Sequence, residues 1–515
     1  MNKDYSIALN FHNSTKHSYL SVRTERYYLD WDNFPYPFKV YEEVEKIKLP
    51  KSFPKPNIKA LEALSSKADK SKELTIREIA ELLYFTAGIS RVLDEGLMKY
   101  YFRVAPATGA LYSTELYLLC CNLEGIEAGL YHFDPYGFSL DVLRLGDYRE
   151  ILSKIAIEER IKKAPLSIIL TSIGWRNVWK YRKRSYRHWY WDSGAMTANL
   201  LAVANAEGLD TKVIMGFKDQ PLNKLLAIDG RKECALSIIS IGPETYTSEN
   251  YETNIIEKEF KFRPLSKREI EYDEIHQIHE SSSLFTDEEL QEWKNSAKEP
   301  LGLESFEVDQ RINLTKIQDE SEELWKVILR RGSTRKFSRK PISFTSLSTI
   351  LIKAISELNA DFLANPKDSL IEYFLIVNEV ENLESGAYHF NKSTLQLELL
   401  KKGKFRNVSQ YLCLEQELGG DASVVIFLLS NLKKALQKFG NRGYRVCNYE
   451  AGIRTGRIYL TAYALNIGAT GLTFYDDDIV DFFSPYSKDM QNMMVAAVGN
   501  PAYKAKMGKI YAGFE

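Results

Sequence analysis

The chain repeats itself at one nearly constant spacing. Gly129-Leu130-Tyr131-His132-Phe133-Asp134 recurs 257 residues later as Gly386-Ala387-Tyr388-His389-Phe390-Asn391. Lys180-Tyr181-Arg182-Lys183-Arg184-Ser185-Tyr186-Arg187 recurs at an offset of 258 as Lys438-Phe439-Gly440-Asn441-Arg442-Gly443-Tyr444-Arg445. Ile241-Gly242-Pro243 recurs at 257 as Val498-Gly499-Asn500. Three matches at one period indicate a duplicated domain, and two copies are too few for a solenoid. Such a pair resembles a homodimer fused into one chain, so a site between the halves can draw unlike parts from each.

A chain of 515 residues is too long for one hydrophobic core and fits two domains plus connections. The net charge of −1 offers no basic field, so nucleic acid is not an expected partner. No stretch reaches the ~18 apolar residues needed to span a bilayer. The first twenty or so residues carry no apolar signal core. No membrane partner is expected, and a cytoplasmic location is. The five cysteines (Cys120, Cys121, Cys234, Cys413, Cys447) lack metal spacing and read as reduced, buried residues. The seven histidines are scattered, so no zinc or iron site is expected.

Residues 1–55 are polar and aromatic with several prolines and read as an extended arm lying on the first domain. Residues 56–245 form that domain, 246–320 a charged, partly helical connection, and 321–515 the second domain. Thr75 is a cap candidate for a helix over Ile76–Phe85. Leu111–Cys121 reads as a helix end running into a strand. Asp192–Glu207 and Glu450–Leu465 are matching long helices, each ending near a glycine. Strands are expected at Ser167–Ser172, Ala235–Ile241, Ile371–Val377, Ser423–Leu429 and Met493–Val498, and further helices at Asp287–Ala297 and Phe344–Leu358. Each repeat is thus helices on a small mixed sheet, an α+β architecture, and the two copies form a pseudo-dimer within the chain.

The residues suited to chemistry have decayed in complementary ways. Arg330-Arg331-Gly332-Ser333-Thr334-Arg335-Lys336-Phe337 places arginines around a hydroxyl, which suits a phosphorylated cofactor because guanidinium forks bind phosphate bidentately. A basic surface loop is an equal alternative. The counterpart at Ser65 to Asp69 has lost the arginines. Arg103 to Glu115 contains Pro106-Ala107-Thr108-Gly109, a turn that lets backbone approach a planar ligand. Its counterpart at Asn365 to Ser369 has lost the small residues. Lys180-Tyr181 lies in a basic loop before the long helix. A neighbouring ammonium is expected to lower the phenol's pKa, making the pair a general acid/base element. An anchoring tyrosine in a positive loop is the competing reading, and the second copy carries Phe439. Gly468-Ala469-Thr470-Gly471-Leu472-Thr473-Phe474 can set backbone against a ring edge or simply join helix to strand. Asp476-Asp477-Asp478 reads as a solvated helix start rather than a metal site.

Together these pieces resemble the nitroreductase superfamily, in particular its SagB-type azoline dehydrogenase branch. Phe11 to Ser18 looks like the branch's His-x-x-Thr-Lys-His-Ser, and Pro37 to Tyr41 like its Pro-Phe-Lys-x-Tyr. Residues 103–115 resemble Arg-x-x-Pro-Ser-Ala-Gly-Ala-Leu-Tyr-Pro-x-Glu, departing at Ala107, Thr108 and Ser113. Residues 180–187 resemble Lys-Tyr-Gly-x-Arg-Gly-Tyr-Arg, with Arg182 and Ser185 replacing glycines. Residues 331–337 resemble the Arg-x-Ser-x-Arg-x-Phe that opens nitroreductase domains.

The resemblance implies FMN held without a covalent bond between the halves. Arg331, Ser333, Arg335, Thr470, Gly471 and Leu472 would come from the second domain, and Pro106, Ala107, Thr108 and Gly109 from the first. Lys504 or Lys506 would help bind phosphate. Lys180 and Tyr181 would be catalytic. The implied activity is FMN-dependent oxidation of a peptide or amino-acid-derived small molecule, azoline to azole in its most concrete form, in natural-product biosynthesis. Other enzymes of a peptide-modification pathway are candidate partners, and dimerisation beyond the internal pair stays open. The alternatives are an NAD(P)H-dependent nitro or quinone reductase and a non-catalytic scaffold.

Overall fold

The computed structural model describes residues 2–24, 27–65, 67, 72–96, 99–248, 250–302 and 306–514. Two seven-stranded sheets share one topology. The first runs Lys46–Lys48, Ser139–Leu145, Gly129–Asp134, Thr114–Cys120, Leu166–Ile173, Glu233–Ile241, Thr211–Ile214. The second runs Arg311–Asn313, Gln396–Lys402, Gly386–Asn391, Glu372–Val377, Val424–Ser430, Gln491–Gly499, Gly468–Gly471. Neighbouring strands pair antiparallel throughout. Every residue of Leu166–Ile173, Glu233–Ile241 and Val424–Ser430 is buried, which is why they read as unbroken apolar runs rather than alternating strands.

The histidine of each repeated Tyr-His-Phe strand lies between two carboxylates. His132 meets Asp141 at 2.8 Å and Glu115 at 3.1 Å, and His389 meets Glu398 at 2.8 Å and Glu372 at 3.2 Å. All five cysteines are buried and unbridged.

The halves meet along two long helices, Ser185–Ala206 and Arg442–Ala464. Both begin earlier than the apolar pattern indicates. All of the first except Asn205, and all of the second, is buried. A helix buried all round has no polar face, so its aromatic and arginine-rich first turns carry no amphipathic signal. At the crossing, a Cβ on Gly194 would lie 2.3 Å from the Tyr449 carbonyl oxygen, and one on its counterpart Gly452 would lie 2.5 Å from the Trp191 carbonyl oxygen. Glycine at both positions lets the two backbones touch.

The beginning of the chain departs from the expected extended arm on the first domain. Ser6–Ser14 is a helix seated on the second domain. Its Ala8 N–H donates to Asn441 Oδ1 at 2.9 Å, and His12 bonds Gln491 at 2.9 Å. The same helix also touches the first domain, Phe11 packing edge-on against Tyr186, and from about Tyr27 onward the chain runs along that domain, where Tyr27 donates to the Trp179 carbonyl and Lys46–Lys48 joins the sheet.

The charged stretch between the domains contains a second version of this arm. Arg187 donates to the His12 carbonyl and to Thr15 Oγ1, at 2.8 and 2.9 Å. Its counterpart Arg445 donates to the His279 carbonyl and Ser282 Oγ, at 2.6 and 2.7 Å. Arg311–Asn313 then takes the same edge of its sheet that Lys46–Lys48 takes in the first. The repeated unit therefore includes its own N-terminal helix and edge strand.

These clasps close on buried acids. Asp476 receives Arg184 at 2.8 Å and Arg187 at 2.7 Å, and Asp219 receives Arg442 at 2.7 Å and Arg445 at 2.6 Å. Each aspartate thus holds the paired arginines of the other half. Asp476 corrects the expectation of a solvated triplet: it is buried, Asp478 is intermediate and only Asp477 is fully exposed. No helix among the described residues is long and apolar enough to cross a membrane.

Candidate functional site

The arginine-bearing segment at the start of the second domain lies against the Pro106 turn of the first. Arg331 is buried, and its Nε and Nη2 donate to the Val104 carbonyl at 3.1 and 2.9 Å. Burial pushes its pKa down, partly offset by the phenols of Tyr459, Tyr112 and Tyr463 around it. Thr334 N–H donates to the Ala469 carbonyl at 2.9 Å, tying this segment to the strand Gly468–Gly471. Tyr459 joins the pieces: its hydroxyl lies 3.5 Å from Ser333 Oγ and accepts from Gly471 N–H. Leu472 is buried in the same apolar cluster as Trp191.

On the facing wall, Thr108–Ala110 forms a 3₁₀ turn, and Gly109 has φ +63°. The helix end expected from Leu111 is absent, and the strand begins at Thr114. Asp192 fixes the turn, with Oδ1 accepting from Thr108 N–H at 2.8 Å and Thr108 Oγ1 at 2.7 Å. Its Oδ2 makes no well-formed hydrogen bond, and the Asn177 amide buried nearby is likewise unpaired. Burial raises the Asp192 pKa to about 7 against these hydrogen bonds.

Lys180 and Tyr181 end the helix Gly174–Tyr181 instead of lying in a loop. The Tyr181 hydroxyl sits against Gly109, only 2.7 Å from where a Cβ would be. The ring packs edge-on against His188 at 4.4 Å, and Lys180 Nζ lies 5.4 Å from its centre. The expected acidification of the phenol is absent. Burial, and second the Asp192 charge, push the Tyr181 pKa up, and Arg335 only partly opposes them. Lys180 moves the other way. Its side chain reaches solvent, yet partial desolvation of the ammonium and then the Arg335 charge lower its pKa. At neutral pH the tyrosine is a proton donor, and the lysine is the better base of the two.

The sequence-derived residues converge with two exceptions. Arg335 is exposed but near enough to act on Lys180 and Tyr181, and its N–H donates to Tyr503 at 2.9 Å. Pro106 and Ala107 are half-buried beside Thr108. Lys504 and Lys506 are exposed, and neither ammonium forms an ion pair among the described residues. Only the Lys506 backbone is engaged, by Arg91. Asp192, Tyr459 and His188 were not singled out from sequence. A usable signal for the first was an acid at the same helix position in both copies, Asp192 and Glu450.

Gly332 and Gly471 suit a flat ligand. A Cβ on Gly332 would meet only the Tyr463 hydroxyl, at 3.7 Å, and one on Gly471 nothing nearer than 3.6 Å. Both backbones therefore face open space, and with the unpaired Asp192 Oδ2 and the arginines opposite they fit a phosphorylated ring system.

The equivalent place at the other side of the interface is filled. Arg454 and Arg457, counterparts of Met196 and Asn199, are buried there. Arg454 donates to the carbonyls of Ala354 and Ser356 at 3.2 and 2.8 Å, and Arg457 to that of Glu357 at 2.9 Å. Val213, counterpart of Gly471, spends both backbone groups on the segment Asn359–Asp361, at 2.9 and 3.0 Å. Ser65 accepts from Lys353. Ser66, Ala68 and Asp69, the rest of the expected lost anion site, lie outside the described residues.

The nitroreductase family model matches residues 69–242 and again 328–499. The chain belongs to the nitroreductase family. MJ1384 of Methanocaldococcus jannaschii, whose name marks it as a candidate nitroreductase, is 26% identical over 173 residues, covering 33% of this chain and 82% of that protein. The microcin B17-processing protein McbC of Escherichia coli is 29% identical over 180 residues, 34% of this chain and 64% of its own length. The trifolitoxin-processing protein TfxB of Rhizobium leguminosarum is 28% identical over 178 residues, 33% of this chain and 48% of its own length. A candidate nitroreductase from Anabaena variabilis shares the whole architecture, with a TM-score of 0.76 at 24% identity over 96% of this chain and 99% of its own. The tandem nitroreductase-like fold expected from the sequence is thus the fold observed, and the chain is an oxidoreductase of that family.

Proposed function

We propose that the chain is an FMN-dependent, SagB-type dehydrogenase that oxidises a ring in a peptide or amino-acid-derived substrate, azoline to azole. The observation that carries this reading is the coincidence of Lys180-Tyr181 with the open backbone of Gly332 and Gly471 at one of two equivalent sites, while the other is filled by Arg454 and Arg457. The processing-protein names of McbC and TfxB support a peptide-derived substrate.

Arg331, Ser333 and Arg335 would hold the phosphate and one ring edge, and the Thr108–Gly109 and Thr470–Leu472 backbones would flank the ring. Bound there, FMN supplies a hydride acceptor that an external oxidant such as oxygen can regenerate. Lys180 Nζ, with its lowered pKa, takes the ring proton. The Tyr181 hydroxyl stays protonated and donates a hydrogen bond to the substrate. Asp192 and His188 hold the turn and the tyrosine ring in place.

The test is anaerobic mixing of the holoenzyme with a thiazoline-containing peptide. The expected result is flavin bleaching together with loss of two hydrogens from the peptide. Bleaching by NADPH and none by the peptide would overturn the reading in favour of a nitro or quinone reductase.

A further inference from the structure

Among the described residues, the first half alone carries a two-stranded ribbon beside its sheet. In the second half the helix Phe344–Ala354 is followed by a short connection, whose Asn359–Asp361 lies on Val213. In the first half the helix Ile76–Ala87 is followed instead by the ribbon strands Ile89–Asp94 and Lys99–Arg103. The ribbon leads directly into Val104, whose carbonyl Arg331 holds.

The end of the chain is laid between this ribbon and the second domain. It runs antiparallel to the arginine segment: Ala502 N–H donates to the Lys336 carbonyl and Gly508 N–H to the Leu329 carbonyl, both at 2.9 Å. Lys504 and Lys506 therefore run alongside Arg330 to Arg335. One residue past Gly508, Lys509 N–H donates to the Ser90 carbonyl at 2.8 Å, and Phe514 stacks on Tyr136 of the first domain at 5.1 Å. A Cβ on Gly508 would lie 2.6 Å from the Ser90 carbonyl oxygen and 3.0 Å from that of Leu329, so the tail is pinched between the domains there. Arg91, next to Ser90 and half-buried, turns back along the tail and donates to the Lys506 carbonyl. The matching stretch after Gly242 stays on its own domain, with Tyr246 N–H on the Lys163 carbonyl and Glu252 N–H on that of Asp147, both at 2.9 Å.

The charges gathered here are all of one sign. Arg91, Arg331, Arg335, Lys504 and Lys506 form no ion pair among the described residues; Arg91 and Arg331 meet only backbone carbonyls. The acids along these segments are taken, Asp94 by Lys99, Glu322 by Arg330 and Asp421 by Arg339. Burial first, and the Arg91 charge among the lesser causes, lowers the Arg331 pKa. Buried arginines elsewhere are met by acids, as Arg184 and Arg187 are by Asp476. Cations held together without acids repel one another, and a dianion between them turns that repulsion into attraction.

We propose that Arg91 is a phosphate ligand supplied by the first domain, so that the flavin's phosphate is held between Arg91 on the ribbon and Arg331 with the lysine-bearing tail on the second domain. The anion then joins ribbon, tail and arginine segment, three parts that the filled site does not bring together. The proposal rests on the FMN reading above and adds a ligand from the opposite wall, one that makes the site select a phosphorylated flavin.

Titrations of the full chain stripped of flavin test it, with FMN and riboflavin as probes. The parent binds FMN about tenfold or more tighter than riboflavin. Arg91→Gln lowers FMN affinity about tenfold or more, the scale of a lost charge-assisted hydrogen bond, and leaves riboflavin affinity at the parent value. Arg91→Lys recovers part of the loss. Unchanged FMN affinity in Arg91→Gln would overturn the proposal. So would FMN and riboflavin affinities falling together, the mark of a residue that only positions the tail. A second measurement needs no flavin. Inorganic phosphate raises the melting temperature of the stripped parent, and raises that of Arg91→Gln by less. Equal shifts would count against an anion site at Arg91. A parent that binds neither flavin defeats the FMN reading, while the phosphate shifts still decide whether Arg91 belongs to an anion site.

Discussion

Asp192 and Glu450 hold the same position on the two long helices, yet Asp192 Oδ2 has no partner while Glu450 Oε1 is bridged by Arg454 at 2.9 Å and takes Ser369 Oγ at 2.6 Å. One acid keeps a buried oxygen without a well-formed hydrogen bond, and the other is satisfied by the arginine that fills its own site. The chain is therefore expected to carry one FMN rather than two. Flavin released by heat and quantified against protein gives the answer, and two equivalents per chain would sink the composite site.

Tyr181→Phe is expected to keep the fold and the flavin and to slow substrate oxidation by about 10²–10⁴-fold, the usual contribution of a positioned acid/base group. Phe439 already occupies the equivalent place in the other copy, so a phenyl ring is compatible with this helix end. Lys180→Ala should be as severe, and Lys180→Arg no milder, because arginine retains its proton. Single-turnover flavin reduction under anaerobic conditions separates these outcomes. A parent-like rate for Tyr181→Phe would make the pair structural.

Arg331→Ala and Arg335→Ala should both weaken flavin retention, each removing a charge-assisted contact of about 1.5–3 kcal/mol. They differ in a second readout. Arg331 also holds the Val104 carbonyl across the interface, so its loss should lower the melting temperature as well, whereas exposed Arg335 should leave it nearly unchanged. Arg339, paired with Asp421 at 2.5 Å outside the site, serves as the control that retains full flavin.

Asp476→Asn leaves Arg184 and Arg187 buried without their counter-charge and should cost about 3–5 kcal/mol, read by denaturant unfolding. The arginines hold the Asp476 carboxyl well below its ordinary range despite burial, and Asp219 behaves alike. A depressed folded pKa contributes stability that is present above the unfolded value of about 4 and is lost as pH falls below it. The parent should therefore lose stability steeply below about pH 4, and Asp476→Asn should show a shallower acid limb.

Arg182 stands where the second copy has Gly440, and both have left-handed backbone, with φ +50° and +64°. Only glycine adopts this conformation without strain, which costs a bulky residue about 1–3 kcal/mol. Arg182→Gly should raise the melting temperature, less the loss of the Arg182 contact with the Tyr27 ring. An unchanged or lower value would mean that this contact outweighs the strain.

The duplication and the asymmetry of its two sites were legible because Gly, Pro, Arg and Tyr at turns are tied to particular backbone geometry. Other features were not. The long helices read seven or eight residues short, since Tyr186, Trp189 and Arg445 pack inward on helices with no solvent face. Asp192 looked like a helix start and proved to be a mid-helix clamp. The second arm was hidden because little of its sequence survives beyond His279 and a hydroxyl at Ser282, although its helix and strand were kept. The direction of the Tyr181 shift depended on burial, which no adjacent residue reveals.

Because both walls of the open site belong to one polypeptide, dilution cannot pull them apart. In a two-subunit enzyme, cofactor would be shed as the subunits dissociate at low concentration. Here the Arg331–Val104 contact closes within the chain, where tethering sustains local concentrations of roughly millimolar however little protein is present. The same tether frees each copy from symmetry. A change such as Met196 to the arginine found at position 454 strikes one site and spares the other, so one interface could be filled in without harming its twin.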